Sequence, residues 1–237
     1  MAAGMQQRTF VERMHDLLDV TEYRKMNTSE DREAVFRLRY DAYRREEFIE
    51  PNEEGTSVDS MDDKPNATTY GIFIAGELAG SIRISILTEA CPHSPSMVTY
   101  SHVLVPMLER GMVLIDPTRF VANERLSKEF PELPYLTLRV PTMACEHYLA
   151  DECLSVIRTE HAAFYKRVYR SRLIGEPCHH PTVTFPIQLM STTVDEIRNG
   201  LYQRYPFFRS NYLERRSLFG PSSLMPGIEE GRTQLAA

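Results

Sequence analysis

Apolar positions recur at two different periods along this chain, and the alternation of those periods predicts its elements. Near the N-terminus Phe10, Met14, Leu17 and Leu18 fall at helical spacing, so residues 1–18 read as an amphipathic helix. Val20 to Met26 reads as a short strand. Thr28 or Ser29 then offers an N-cap, with Glu30, Asp31 and Glu33 in or near the first turn, where the helix dipole favours acids. That helix runs to about Glu46. The stretch 51–66 is acidic and rich in Pro, Ser and Asn, so it is a loop. A hairpin follows, Thr68 to Ala75 and Leu78 to Leu87, turning at Ala75-Gly76-Glu77.

After a loop at Cys91-Pro92-His93-Ser94-Pro95-Ser96, a short helix is expected from His102 to Glu109, stopped by Gly111. Met112 to Val121 reads as a strand, Leu136 to Ala150 as a helix and Cys153 to Thr159 as a strand. His161 to Tyr169 is a further helix and Thr182 to Met190 a last strand. From Leu201 the chain turns aromatic and basic before a tail expected to be mobile. Strands interleaved with single helices predict an α/β (α+β) chain around one mixed sheet. The expected organisation is a helical segment over 1–19, a catalytic domain over 20–190 and a helical extension with the tail over 191–237.

Composition narrows the class. With 42% hydrophobic and 25% charged residues, 237 residues can bury a sizeable core. No apolar stretch is long enough to span a bilayer, and the N-terminus lacks the pattern of a secretory signal. The four cysteines have no tight spacing and read as reduced thiols of a cytoplasmic protein. A net charge of −6 argues against nucleic acid as the main partner.

Four sites break the apolar pattern. On a helical wheel Val35, Phe36, Leu38, Tyr40, Ala42 and Tyr43 form one arc, and Arg39 falls in its middle. A buried guanidinium requires a partner, whether for function or only to organise the fold. The following loop supplies Asp59 and Asp62, which could clamp one or two arginines or simply be solvated. On the second hairpin strand Ile82, Ile84 and Ile86 point to one face and Ser81, Arg83 and Ser85 to the other. That polar face indicates a cleft or an ion-pair cluster, unless the strand lies at a wet edge. Finally, Pro117 has no N–H for the ladder, so the strand carrying Asp116-Pro117-Thr118-Arg119-Phe120 must splay or bulge there. The gap would admit an extended ligand beside an acid, a hydroxyl and an arginine.

In this order, Arg39 with Tyr43, Asp59-Ser60-Met61-Asp62, Gly76-Glu77-Leu78-Ala79-Gly80-Ser81-Ile82-Arg83 and Asp116-Pro117-Thr118-Arg119-Phe120 resemble the acyl-homoserine-lactone synthases. The chain is more similar still to their relatives, the N-acyl amino acid synthases, and both groups have the Gcn5-like N-acyltransferase fold. The resemblance is clear over about 34–122 and looser to about 190. It implies that Arg39, Asp59, Asp62, Arg83 and Arg119 form the family's ion-pair cluster, with Tyr43 and Phe120, beside the acyl and amine sites. The lactone synthases usually carry a tryptophan after the first helix, and this chain has none. They also carry glutamate where Asp116 stands. Both departures favour the N-acyl amino acid branch.

Aminolysis of a thioester needs a free amine, an oxyanion site and a proton for the leaving sulfur. Asp116 is expected as the base or the group orienting it, Thr118 as its positioning neighbour, and backbone N–H groups of the splayed strand as the oxyanion site. Tyr165 resembles the helix tyrosine that many Gcn5-like enzymes place near the sulfur, although a core aromatic would look the same. No cofactor is expected to be held permanently; the co-substrate is an acyl-phosphopantetheine thioester. Val121-Ala122-Asn123-Glu124-Arg125-Leu126-Ser127-Lys128-Glu129 contains no glycine to cradle a pyrophosphate, which favours acyl carrier protein over coenzyme A. Arg158, Lys166, Arg167, Arg170 and Arg172 could form a basic patch for that acidic partner, or merely a solvated helix face. Cys178-His179-His180 with His161 lacks metal-ligand spacing, so no metal is expected. The alternatives to acyl transfer onto an amino acid are lactone synthesis, coenzyme A-dependent N-acetylation, and a silent domain that binds a lipid or carrier.

Overall fold

The computed structural model describes residues 8–179 and 185–221. Local signals set most element ends. Thr9 caps α1 (Phe10–Asp19) and Thr28 caps α2 (Ser29–Arg45). Each threonine accepts from the N–H of Glu12 or Asp31, whose carboxylate reaches back to the cap. Between them lies β1 (Thr21–Lys25). β2 (Ala67–Ile74) and β3 (Glu77–Leu87) turn through Ala75 and Gly76, both left-handed at φ 49° and 86°, which suits a two-residue hairpin. Next come α3 (Pro95–Leu108), β4 (Leu114–Ala122), α4 (Glu124–Glu129), α5 (Leu133–His147), β5 (Glu152–Arg158), α6 (Ala162–Tyr169), β6 (Arg172–His179) and β7 (Pro186–Thr193). α7 (Val194–Glu196), a π-turn over Ile197–Leu201, α8 (Tyr202–Arg204) and α9 (Tyr212–Phe219) complete the described chain.

The seven strands form one sheet in the order β1-β2-β3-β4-β5-β7-β6. Every neighbouring pair is antiparallel except β4 with β5, which run parallel and pair only at Leu114 with Glu152 and Ile115 with Cys153. Beyond that rung β4 continues as Asp116-Pro117 without a partner on its β5 side, so the sheet forks where the proline was expected to open it. Helices cover both faces. α5 and the C-terminal segments pack on the face carrying Ile82, Ile84, Ile86 and Ile115. α2 and α3 cover the other face, where Leu87, Leu114, Leu154 and Leu189 meet Leu104 and Met107 of α3. This is the mixed sheet with helices on both faces that the sequence order implies.

Several elements depart from the sequence reading, among them α4, which it lacks, and α5, which lies three residues earlier than expected. The expected helix at His102 begins seven residues earlier, because Ser94 accepts from the Met97 N–H and Pro95 occupies the first helical position. β6 was not anticipated: Gly175 and Pro177 interrupt its alternation, and it survives as an edge strand whose register slips twice against β7. The last strand runs to Thr193 instead of stopping at Met190, while residues 182–184 of the expected strand lie outside the described residues. The chain past Thr193 returns to the main core. Arg139 of α5 donates to the carbonyls of Phe207 (2.8 Å) and Arg209 (2.6 Å) and pairs with Glu214. Residues 1–7 and the expected mobile tail from 222 lie outside the described residues.

Candidate active site

β-Sheet register builds the site as a grid on the face beneath α2 and α3. Thr69, Arg83 and Thr118 lie side by side across β2, β3 and β4. The next row toward α3 pairs Ser85 with Asp116, and the row on the other side pairs Ser81 with Val121. Rows on one face are two residues apart, about 7 Å. All of Ser81, Arg83, Ser85 and Asp116 are buried, so a polar patch sits where a two-sided sheet would ordinarily be apolar.

The charges of this patch are tied together by the loop after α2. Arg39, buried at 1%, donates to both carboxylate oxygens of Asp62 (2.8 and 2.9 Å) and to the Thr69 hydroxyl (2.9 Å). Arg83 donates to Asp59 (2.6 Å), Asp62 (3.1 Å) and the Thr118 hydroxyl (3.1 Å). Arg119 pairs with Asp59 through Nε (2.7 Å) and again through Nη2, while Nη1 donates to the Tyr43 hydroxyl (3.4 Å). The loop holds its own acids in place: the Asp59 N–H donates to Asp62, and the Met61 N–H to Asp59. Burial works against the charge of Asp59, but Arg83 and Arg119 prevail and hold its pKa well below the usual carboxylate range. The arginines and aspartates expected from the sequence are therefore one network. Phe120 stands exposed beside it.

Arg119 occupies a β-bulge. Arg83 pairs with Thr118 but Ser81 pairs with Val121, so β4 carries one extra residue there. Arg119 takes a left-handed φ of 54° to accommodate it. That conformation is costly for a side chain with a Cβ, and the hold of one Asp59 oxygen on both Nε and Nη2 supplies a local reason for it to persist.

Asp116 behaves differently from Asp59 and Asp62. It is fully buried, and neither carboxylate oxygen has a hydrogen-bond partner. Burial raises its pKa; the Ser96 and Ser94 hydroxyls and the Arg83 charge oppose that shift without overcoming it. The Ser96 N–H, in the first turn of α3, acts in the same sense. Near it the hydroxyls of Ser85 and Ser96 and Nη2 of Arg83 are likewise buried and unpartnered, as is the Ser81 hydroxyl two rows away. Each such orphan costs about 1–3 kcal/mol, so their concentration makes this the candidate site. Ser85 belongs to the polar strand face that the sequence indicates, whereas Ser96 escaped the sequence reading. The serine-proline start of α3 was the signal that places Ser96 against Asp116.

Tyr165 lies across the sheet from Asp116, packed on the α5-side core with Phe164 (5.3 Å) and stacked on Tyr169 (6.0 Å). Its electrostatic neighbour Cys153 belongs to the last β4–β5 rung, so the tyrosine flanks the root of the fork. Burial raises the pKa of its hydroxyl. The basic residues are less uniform than their sequence suggests. Arg158 is sandwiched between Phe48 (4.7 Å) and Phe185 (4.1 Å) and bridges to Glu46 and Glu160. Arg170 and Arg172 pair with Glu196 and Glu152. Lys166 and Arg167 are exposed and have no ion pair among the described residues. Cys178 contacts the Tyr100 hydroxyl (3.3 Å), His180 lies outside the described residues, and no metal-binding group of three is found among the described ones.

Known proteins share this fold. The solved structure of FeeM, an N-acyl amino acid synthase from uncultured soil microbes, superposes with a TM-score of 0.63 at 22% identity, covering 76% of this chain and 93% of that one. BjaI, a coenzyme A-dependent acyl-homoserine lactone synthase, gives 0.55 at 14% identity over 79% of this chain and 89% of its own. An acyl-CoA N-acyltransferase from Pseudomonas aeruginosa gives 0.50 at 16% identity over 73% and 98%. These likenesses establish the Gcn5-like N-acyltransferase fold. No match is found among curated protein sequences. The family model for the N-acyl amino acid synthase FeeM matches residues 34–193, which hold the entire charged network, Asp116 and Tyr165, and the chain accordingly belongs to that family of N-acyltransferases.

Proposed function

We propose that this N-acyltransferase moves a fatty acyl group from an acyl carrier protein thioester to the α-amine of an amino acid in the cytoplasm. The observation that carries the reading is Asp116, a buried carboxylate with both oxygens unpartnered at the root of the sheet fork. Its raised pKa makes it a better proton acceptor than an ordinary aspartate. It takes one proton from the substrate ammonium. The freed amine attacks the thioester carbonyl, a C–N bond forms, the C–S bond breaks, and the amine's second proton goes to the leaving thiolate. Tyr165, kept protonated by burial beside the fork, would relay that proton, giving its own to the sulfur and regaining the amine's. Thr118 is engaged by Arg83 Nε and fixes that guanidinium, whose free Nη2 would meet the substrate carboxylate.

Four features support the donor. The edge of β4 beyond Ile115 has no strand partner toward β5, which suits an extended pantetheine arm. Neither helix after β4 resembles a pyrophosphate cradle. The Asn123 side chain already caps α4, with Glu124 in its first turn. α5 begins after Glu132, and Pro134 removes an N–H from its first turn. The apolar cluster under α3, with Met97, Met107 and Met112, lies on the same face as Asp116 and suits an adaptable fatty chain. Lys166 and Arg167 are the exposed cations left for a carrier's acidic helix. The test supplies purified protein with palmitoyl-acyl carrier protein or palmitoyl-coenzyme A and an equimolar pool of the twenty amino acids. N-Palmitoyl amino acid formed at least about tenfold faster from the carrier, roughly 1.4 kcal/mol of preference, is the expected result. Product from coenzyme A alone would overturn the donor assignment, and none from either would overturn the function.

A further inference from the structure

The orphaned hydroxyls around Asp116 form a pattern that the role of a general base does not require. Ser85 lies directly across from Asp116 in the β3–β4 register, where facing Cβ atoms are about 5 Å apart. Ser96, at the second position of α3, approaches the same carboxylate from above the sheet. Both serines are buried, at 0% and 2%, and neither hydroxyl has a hydrogen-bond partner. Ser94 differs: its hydroxyl accepts the Met97 N–H at the helix cap, and its O–H is turned to the charge of Asp116. A stable core has no reason to spend two buried hydroxyls next to a buried carboxylate that also lacks partners.

We propose that Ser85, Ser96 and Asp116 together form a three-acceptor seat for a primary ammonium group, and so select primary over secondary amines as acyl acceptors. This inference rests on the reading of Asp116 as the base. A primary ammonium has three N–H donors, and the seat offers one oxygen for each: a carboxylate oxygen and two hydroxyl oxygens. Asp116 removes the first proton. The two remaining N–H groups stay hydrogen-bonded to Ser85 and Ser96, and the lone pair lies on the Asp116 side of the nitrogen, where the forked edge of β4 would bring the thioester carbonyl. Attack forms the C–N bond and expels the thiolate, which takes one of those two protons; the proton on Asp116 passes to solvent, leaving amide, thiol and one released proton. A secondary amine such as proline has one N–H fewer and leaves a buried hydroxyl unsatisfied, a discrimination of the kind that buried polar sites enforce strongly. The two serines act on the reaction differently from the charged groups around them. Those groups are Arg83 on β3, its partners Asp59 and Asp62 in the loop and Arg39 on α2, and serine substitutions leave all of them in place. His93, just before α3, is exposed.

The experiment compares wild type, S85A, S96A, S85T, S96T and D116N. Each full-length protein is purified and supplied with palmitoyl-acyl carrier protein and the pool of twenty amino acids between pH 5 and 9, with products read by mass spectrometry. Each alanine variant is expected to lose about 10- to 100-fold in kcat/KM for the amine, the loss of one buried hydrogen bond, with KM for the thioester unchanged. N-Acylproline, below detection beside the primary products of wild type, should rise as a fraction of product in S85A and S96A. The acid limb of S96A should move to higher pH, because its hydroxyl favours the charged carboxylate; a packing role would leave that limb alone. The threonine variants keep the hydroxyl and should retain more activity than the alanines. Wild-type rates, proline rejection and acid limb in both alanine variants would overturn the seat while an inactive D116N upheld the base. Equal losses in threonine and alanine variants would assign the serines to packing and overturn it too. Full activity in D116N would overturn the base and the seat with it.

Discussion

The charged network predicts a specific stability defect in D62N. Asp62 is almost wholly buried, with 2% of its side chain exposed, and accepts from Arg39 twice, from Arg83 once and from the Asp59 N–H. Asparagine is nearly isosteric, so the packing survives. What changes is charge: Arg39, Arg83 and Arg119 would face Asp59 alone, and the amide would turn an N–H₂ toward a guanidinium. Removing one partner of a buried pair costs about 3–5 kcal/mol, since the other charge remains buried without compensation. Against a total stability of about 5–15 kcal/mol this is a large share. At roughly 2–4 °C per kcal/mol for a chain of this size, melting should fall by about 6–20 °C. Thermal unfolding followed by circular dichroism checks it, with the double variant R39M/D62N as control. Removing Arg39 as well should restore more than half of the loss. A D62N midpoint within 2 °C of wild type, by the same slope, or a double variant worse than D62N, would refute the claim that these charges compensate one another inside the fold.

Three more outcomes follow from the same contacts. G175A should lose about 1–3 kcal/mol in urea, because a Cβ there would meet the Tyr100 ring at 2.7 Å and Leu189 at 2.9 Å. The Asp59 pKa is depressed in the folded state, so its contribution to stability is full above the unfolded value of about 4 and is lost as pH falls below it; D59N should flatten the acid side of a stability profile between pH 5 and 2. The double reversal K166E/R167E should raise KM for acyl carrier protein about tenfold at low salt while leaving the coenzyme A thioester unaffected, with the difference shrinking as salt is added.

Much of the site was legible because its residues violate the pattern of their own elements. Arg39 interrupts an apolar helical arc, Arg83 stands between serines on a strand whose other face is all isoleucine, and Pro117 cannot complete a ladder. Such violations are visible in one dimension. What stayed hidden depends on three. Asp59 and Asp62 look like any acidic loop until the fold presents them to three arginines. The helical start at Ser94-Pro95-Ser96 looked like loop because serine and proline signal both, and with it went the contact of Ser96 with Asp116. β6 was lost because an edge strand can afford the glycine, proline and register slips that erase its alternation. The basic run after β5 read as one patch, yet Arg158 is held between two phenylalanines and Arg170 and Arg172 are paired.

The assignment of Asp116 as the base is tested most directly by one comparison. Cells producing the chain or its D116N variant at equal soluble levels are extracted, and the lipids are read by mass spectrometry. The account predicts N-acyl amino acids in the first extract and a fall of about 100-fold or more in the second, the usual worth of a positioned base. Acyl-homoserine lactones in place of N-acyl amino acids, or undiminished product from D116N, would contradict it.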